Sequence, residues 1–430
     1  MMINRLKSNR LIKSIYVLLM TYSLFACKKK NDEDSPANIS PTTGTRTEFT
    51  LDSIFLYAKE IYYWQEALPD YATFNPRAKY AGITPDIYAF QKELYDITQY
   101  KLNANGFPYE KPISGESPRY SYLENKNNLS PAYASLNMGT GSTNQIQNKT
   151  IEFSKVGYLY IDAFKNLNEM KAKLDKDFED YATTGIETLI IDLRNNRGGT
   201  VETVAYLANL IAPSSFNGKI MFSELFNPIL RSGNAKILKN QLYLDENGKP
   251  VKYNGRLATL ADIDFSEAEN IEKFGKIGKL ETVKNLYFIV TNQTASASEL
   301  LISSFKPHLP VRLVGQKTYG KPVGFFAVNI DKYSIYMASF LLRNADGWSD
   351  YFDGIVPDII VNGGSSGAIG DPTELYFATV LKDIMMKSGL AANRLSLKTS
   401  AKIYSNRTIS DPNRNDQDIP LIKKHFRLKN

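Results

Sequence analysis

Cysteine occurs once in the 430 residues and histidine only twice. A single cysteine, Cys27, excludes an internal disulfide and leaves no second thiol for a metal or redox pair. With only His308 and His425, a zinc site built on several histidines is nearly excluded, and a Ser-His-Asp arrangement has just two bases to choose from. His308 lies in Lys306-Pro307-His308-Leu309-Pro310, a turn between a helix and a strand, and His425 lies in a basic tail; both read as surface residues. The apolar run from Ser14 to Ala26 is too short for a typical membrane-spanning helix. A strong charge of one sign is also missing. The formal net charge is +7, and it falls to about +3 once Arg5, Lys7, Arg10 and Lys13 of the N-terminal leader are set aside, which leaves little support for nucleic-acid binding.

What is present is the composition of a globular protein, 43% hydrophobic and 12% aromatic. The basic start and short apolar run read as a leader over residues 1–26, ending in Leu24-Phe25-Ala26-Cys27. That box resembles the cleavage site of bacterial lipoproteins, which implies lipidation of Cys27, a lipid anchor in the membrane and a place in the cell envelope, on the periplasmic face or the cell surface. Residues 27–48 read as a flexible tether, charged at first and then rich in Ser, Pro and Thr. Its Asp32-Glu33-Asp34 resembles an export signal and equally suits a plain linker.

Residues 49–150 read as a helical cap and linker. Thr50 is expected to cap a helix carrying Ile54, Tyr57, Ala58, Ile61 and Leu68 on one face, and Thr84 a second, with Pro85 in its first turn and Ile87, Phe90, Leu94 and Ile97 buried. Residues 102–149 lack a long apolar period and read as loops and short strands. Residues 151–390 change texture. Strands at 157–161, 188–193, 286–290 and 311–314 alternate with helices near 167–181, 201–211 and 297–305, which predicts an α/β core with a largely parallel sheet. A polar insertion spans about 227–280, with a hairpin turn expected at Glu246-Asn247-Gly248. Asp371-Pro372-Thr373-Glu374 signals a late helix. Residues 391–430 form a basic, weakly patterned tail.

Three loops leave the carboxyl ends of predicted strands, where ligands bind in open α/β sheets. They begin at Asp192, Thr291 and Gly315. Ser296 would stand at the start of a helix, where first-turn N–H groups and the helix dipole favour an oxyanion. Ser296-Ala297-Ser298-Glu299 is also a capping box, and such a serine is usually only a cap. Gly198 and Gly199 lack side chains, so their N–H groups can approach a ligand oxygen closely. A nucleophilic serine needs a base; with histidine scarce, Lys321, set among Gly320, Pro322, Val323, Gly324, Phe325 and Phe326, is the next candidate, and a snorkelling surface lysine is the plain alternative.

The segments 185–213 and 286–361 resemble the tail-specific, or carboxy-terminal-processing, serine peptidases, whose Ser/Lys dyad sits on a crotonase/ClpP-like core of stacked β-β-α units. The matching motifs are Asp192-Leu193-Arg194-Asn195-Asn196-Arg197-Gly198-Gly199, Thr294-Ala295-Ser296-Ala297-Ser298-Glu299, Thr318-Tyr319-Gly320-Lys321 and Gly354-Ile355-Val356-Pro357-Asp358-Ile359. The resemblance implies Ser296 as nucleophile and Lys321, 25 residues later, as general base. It also implies an oxyanion hole from the Ala297 N–H and that of Gly198 or Gly199. Asp192 and Glu299 are expected to brace the loops. No cofactor or metal is implied, and the partner would be a polypeptide substrate. Two departures stand out. Phe325 replaces the glutamine that often orients the lysine, a task left to a backbone carbonyl or Ser298, and the stretch from Tyr122 to Gly157 is too short for a full PDZ domain. A non-catalytic peptide- or ligand-binding lipoprotein on the same core, a structural lipoprotein, and an esterase are the rival readings.

Overall fold

The computed structural model describes residues 40–113, 115–126, 146–151, 155–245, 248–363, 367–388 and 426–429. The predicted leader, Cys27, the tether as far as residue 39, His425 and the tail other than residues 426–429 lie outside the described residues. Residues 69–75 belong to a separate compact unit and hold one short helix, Tyr71–Phe74, capped by Asp70. The description below concerns residues 44–68 and 76–430.

The first helix, α1 (Arg46–Ile61), starts four residues before the expected cap. Thr45 Oγ1 accepts from the Glu48 N–H at 3.2 Å, and the Glu48 carboxylate accepts from the Thr45 N–H at 2.7 Å. This reciprocal pair fixes the helix start, and Thr50 lies inside it with its hydroxyl on the Arg46 carbonyl. Leu68 lies past its end. Helix α2 (Asp86–Thr98) begins after Pro85, whose extended backbone (φ −70°, ψ 157°) occupies the cap position that Thr84 was expected to take. Leu51, Ile54, Phe55, Ala58 and Ile61 of α1 and Ala89, Phe90, Leu94 and Ile97 of α2 are buried, and the two helices pack on each other.

Glu93 of α2 breaks this apolar pattern. It is fully buried, and neither carboxylate oxygen has a hydrogen-bond partner among the described residues. Burial, reinforced by the charges of Asp52 and Asp96, holds its carboxyl well above the ordinary value of 4.5. Because the folded-state value is raised, the stability linked to this group is complete below about pH 4.5 and is lost as pH rises through the folded value. Glu93→Gln is therefore expected to raise the melting temperature more at pH 9 than at pH 5. An equal increment at both values would mean that Glu93 does not titrate against the fold.

Strand β1 (Tyr122–Asn125) follows, then β2 (Ile146–Ile151), β3 (Val156–Ile161) and helix α3 (Leu167–Thr184). Met170, Leu174, Phe178 and Tyr181 line one stripe of α3, and Gly185 at φ 61° ends it. Next come β4 (Thr188–Asp192), α4 (Val201–Ile211), β5 (Ile220–Phe226), β6 (Ile271–Lys273), β7 (Asn285–Val290), α5 (Ala297–Phe305) and β8 (Val311–Gly315). The chain continues through β9 (Val323–Gly324), β10 (Ala327–Ile330), β11 (Tyr333–Tyr336), β12 (Phe340–Asn344), β13 (Ile359–Ile360) and α6 (Leu375–Lys387).

The main sheet has the order β13-β8-β7-β4-β3-β2, parallel except for the antiparallel edge strand β2. Its inner strands are apolar on both faces, as a parallel sheet covered on both sides requires. Tyr158, Ile190, Tyr287, Ile289 and Val314 meet Tyr376, Phe377 and Val380 of α6. On the other face, a side chain at Gly157 would strike Tyr181 of α3 together with Ile186 and Leu189, so α3 packs closely there. Helix α6 is capped by Glu374, whose carboxylate accepts from the Tyr376 and Phe377 N–H groups, while Asp371 caps only the preceding turn.

A second, antiparallel sheet has the order β9-β12-β5-β6, and a third β1-β11-β10. The polar insertion contributes β6 and a tight hairpin, Lys252–Tyr253 against Arg256–Leu257, turning at Asn254-Gly255 with φ of 48° and 77°. At the turn expected nearby, Glu246 and Asn247 lie outside the described residues; the flanking Leu244 and Pro250 pair antiparallel. His308 is half-buried and packed on aromatic rings rather than fully exposed. Its ring lies 5.3 Å from those of Phe216 and Phe274, and Nε2 is 2.8 Å from the Ile220 carbonyl, which removes it from the candidate bases.

Candidate active site

Strands β4, β7 and β8 are adjacent and parallel, so they end on the same edge of the sheet, at Asp192, Val290 and Gly315. The three motif loops start there.

The first loop is held from below. Asp192 is fully buried and accepts from Arg194 Nε at 2.9 Å and from the Tyr158 hydroxyl at 2.7 Å, and Arg194 reaches Glu374 at 2.8 Å. Burial pushes the Asp192 carboxyl up, against the pull of Arg194. Burial alone would lower the Arg194 guanidinium; its bonds to Glu374 and Asp192 outweigh this and raise it. The group braces the loop against α6. Further along, the Asn196 carbonyl accepts from the Ala295 N–H and from Ser298 Oγ, both at 3.1 Å, and Thr294 Oγ1 donates to the Leu193 carbonyl. The Ser298 hydroxyl thus donates to Asn196, which leaves its oxygen lone pairs as acceptors.

The two glycines play different parts. A Cβ on Gly198 would lie 2.9 Å from Ser296 Cβ and 3.0 Å from the Ala297 nitrogen. A Cβ on Gly199 would lie 1.8 Å from the Phe164 carbonyl oxygen, where the loop bridges to the end of β3. Gly198 therefore borders the serine, and its own N–H is donated to Asn196 Oδ1 at 2.8 Å. Gly198→Ala, strained at φ 105°, is expected to cut turnover at least about tenfold with a smaller loss of stability than Gly199→Ala, because the atoms it crowds, Ser296 Cβ, the Ala295 carbonyl oxygen and the Ala297 nitrogen, belong to the turn that would receive an oxyanion. Gly199→Ala drives backbone into backbone and is expected to cost several kcal/mol, roughly the upper range for single substitutions. Melting temperature and turnover measured together separate the two; the same profile for both variants would refute the distinction.

Ser296 itself is fully buried, at φ 59° and ψ −116°, outside the helical and extended basins. Such a backbone costs about 1–3 kcal/mol and persists only where its surroundings enforce it. Its Oγ has no hydrogen bond of normal geometry among the described residues, although Ser296 and Glu299 are arranged as a capping box, with the Oγ toward the Glu299 N–H and the Glu299 carboxylate on the Ser296 N–H. The enforcing group is Glu299, also fully buried. One carboxylate oxygen accepts from the Ser296 N–H at 3.0 Å and the Lys321 N–H at 2.8 Å; the other accepts from the Gly320 N–H at 2.7 Å and Thr318 Oγ1 at 2.5 Å. Burial pushes this carboxyl above the ordinary range although all four donors oppose it. One side chain thereby fastens the serine turn to the lysine loop.

Lys321 is 2% exposed, and its Nζ lies 5.1 Å from the centroid of the Phe325 ring. Where a glutamine was noted as missing, an aromatic face holds the ammonium stem. Two residues outside the motifs also hold this loop. Arg119 Nη2 donates to the Tyr319 carbonyl at 2.6 Å, and the Tyr120 hydroxyl to the Gly320 carbonyl at 2.7 Å. They stand 200 residues from their partners, in a stretch with no periodicity, and nothing local in the sequence marks them.

Residues 155–361 match the model of peptidase family S41. Comparison with curated proteins gives no match. Among solved structures, a Bacteroides fragilis protein assigned to the S41 proteases is similar at 20% identity and a TM-score of 0.43, with 57% of this chain and 58% of that chain covered. A Streptococcus agalactiae lipoprotein is similar at 15% identity and a TM-score of 0.47, and a Parabacteroides merdae protein assigned as a peptidase at 13% and 0.46; each comparison covers 81% of this chain and 99% of the other.

Proposed function

We propose, from the match of residues 155–361 to the peptidase family S41 model, that the chain is a serine endopeptidase acting on extended polypeptide through an acyl-enzyme on Ser296. The observation that carries the reading is the Ser296 hydroxyl: buried, unbonded among the described residues, held at a strained backbone and fastened to the Lys321 loop by Glu299. A serine placed only to cap its helix would need no left-handed φ.

In the proposed reaction neutral Lys321 takes the proton from Ser296 Oγ as the oxygen attacks the peptide carbonyl. The tetrahedral oxyanion lies against the N-terminus of α5, with the Ala297 N–H as donor, joined by an N–H of the Gly198-Gly199 turn. Collapse expels the amine, which receives the proton from Lys321, and water then releases the acyl group by the same steps in reverse roles. Ser296 and Lys321 are 0% and 2% exposed, so substrate reaches them only when the surrounding loops part. The Arg197–Gln293 hydrogen bond is a side-chain link between two of those loops.

Incubation with a peptide p-nitrophenyl ester followed by acid quench and mass spectrometry tests the reading. The expected result is an acyl adduct on the peptide containing Ser296; an adduct elsewhere, or none despite turnover, would overturn it. For the envelope location, we propose lipidation of Cys27, and Cys27→Ser is expected to move the protein from the membrane to the soluble fraction of cells. Unchanged membrane retention would remove the anchor from that cysteine.

A further inference from the structure

A cavity of about 260 Å³ lies against the far side of the lysine loop, lined by Asn103, Phe107, Tyr109, Lys111, Arg119 and Phe352 among others. Its construction is specific. Asn103 Oδ1 accepts from the Asn105 and Phe107 N–H groups, and the Asn103 N–H donates to the Phe107 carbonyl, so the rim between Leu102 and Pro108 is a closed, preformed turn. The wall is aromatic. Tyr109 stacks on Trp64 at 4.8 Å and meets Phe352 edge-on at 4.7 Å. Two cations stand in it. Lys111 Nζ lies 3.8 Å from the Phe107 ring centroid, and Arg119 lies over the Tyr319 ring with its Nε buried and unbonded among the described residues. Asp353 is the one lining carboxylate, against the two cations.

The cavity shares a wall with the loop that carries Lys321. Arg119 donates to the Tyr319 carbonyl, and a Cβ on Gly320 would lie 2.3 Å from the Phe352 carbonyl oxygen. Gly320 immediately precedes Lys321, so the cavity wall and the proposed general base share one loop.

We propose that this cavity is a substrate subsite for a carboxylate-bearing stretch of polypeptide, with an apolar side chain against Phe107, Tyr109 and Phe352 and the carboxylate on Lys111 and Arg119. The assignment follows from the excess of cations over anions in a preformed aromatic pocket. It rests on the peptidase reading above and deepens it by naming the substrate class.

The test uses binding to the full Ser296→Ala chain, so that it does not depend on turnover. Three fluorescent hexapeptides serve as probes: one with Phe-Glu at its centre and an amidated end, one with Phe-Gln and an amidated end, and one with Phe-Gln and a free terminal carboxylate. The Phe-Glu peptide is expected to bind about three- to tenfold more tightly than its amidated Phe-Gln counterpart, an advantage lost in Lys111→Gln and kept in Lys249→Gln, which removes an exposed lysine outside the cavity. Tight binding of the third peptide as well would assign the site to either source of carboxylate. Equal affinities for all three peptides, or an advantage that survives Lys111→Gln, overturns the subsite. Selective binding in a protein that forms no acyl adduct supports the subsite and counts against the peptidase reading alone; an adduct without selectivity does the reverse.

Discussion

Ser296→Ala is expected to lower the turnover of an unfolded polypeptide at least about a thousandfold, and Lys321→Met by about a hundred- to ten-thousandfold. The alanine removes the only proposed attacking atom. The methionine keeps the length and apolar stem that pack on Phe325 and removes only the base. Because nucleophile and base act as one unit, the double variant is expected to be no slower than the worse single one. Turnover of the wild type is expected to rise with pH to a plateau, since only neutral lysine accepts the serine proton. Lys321→Met is expected to lose that dependence along with its rate. Equal rates for wild type and both variants would remove the dyad; loss in Ser296→Ala alone would leave the nucleophile and discard the base. A companion measurement concerns strain. Ser296→Gly adopts φ 59° without penalty, so it is expected to melt higher than wild type while remaining inactive. A catalytic serine held under strain has this signature, and a capping serine does not.

Glu299→Ala is the variant expected to do the most damage to the fold itself. It withdraws the acceptor from three backbone N–H groups and the Thr318 hydroxyl, all in a fully buried setting. Stranding buried donors of this kind costs about 1–3 kcal/mol each, and the set is expected to lower stability by roughly 3–5 kcal/mol after local relaxation. Glu299→Gln is the more informative change. It keeps the volume and one carbonyl acceptor, but turns an amide N–H₂ toward groups that themselves donate. The serine turn or the lysine loop must then swing away, so turnover is expected to fall by about ten- to a hundredfold with a smaller loss of melting temperature. Comparing the turnover of the folded fraction with the melting temperature separates positioning from stability. A Glu299→Gln protein with wild-type turnover would reduce Glu299 to a structural brace.

Much of the architecture was legible in the chain. Helices at 201–211 and 297–305 fall where their apolar spacing put them, and the parallel strands where their continuous apolar runs put them. Both are local consequences of side-chain period and burial. Where the reading slipped, two local signals competed. Thr45 and Thr50 both precede an apolar stripe, and Thr45 prevails because Glu48 stands three residues on to complete the reciprocal bonds. His308 is half-buried and not freely exposed because the two aromatic rings packed on it come from residues 216 and 274, far from the flanking prolines that look like a surface turn in sequence.

The site divides along the same line. By itself the sequence determined which residues were candidates: scarce histidine, a serine at a helix start and a lysine among glycines and aromatics 25 positions on. It could not distinguish a cap from a nucleophile, since a capping box and the observed turn are written in the same four letters. What the tertiary structure adds is a left-handed φ at Ser296, a hydroxyl without a hydrogen bond of normal geometry among the described residues, and a Glu299 carboxylate turned toward the lysine loop. The same is true of the two glycines, alike in sequence but set against different neighbours, and of Arg119 and Tyr120, which reach the loop from 200 residues away. The physical reason is range. Periodicity and capping act within a few residues, while the placement of a hydroxyl, a carboxylate and an amine depends on loops brought together only when parallel strands align on one edge of the sheet.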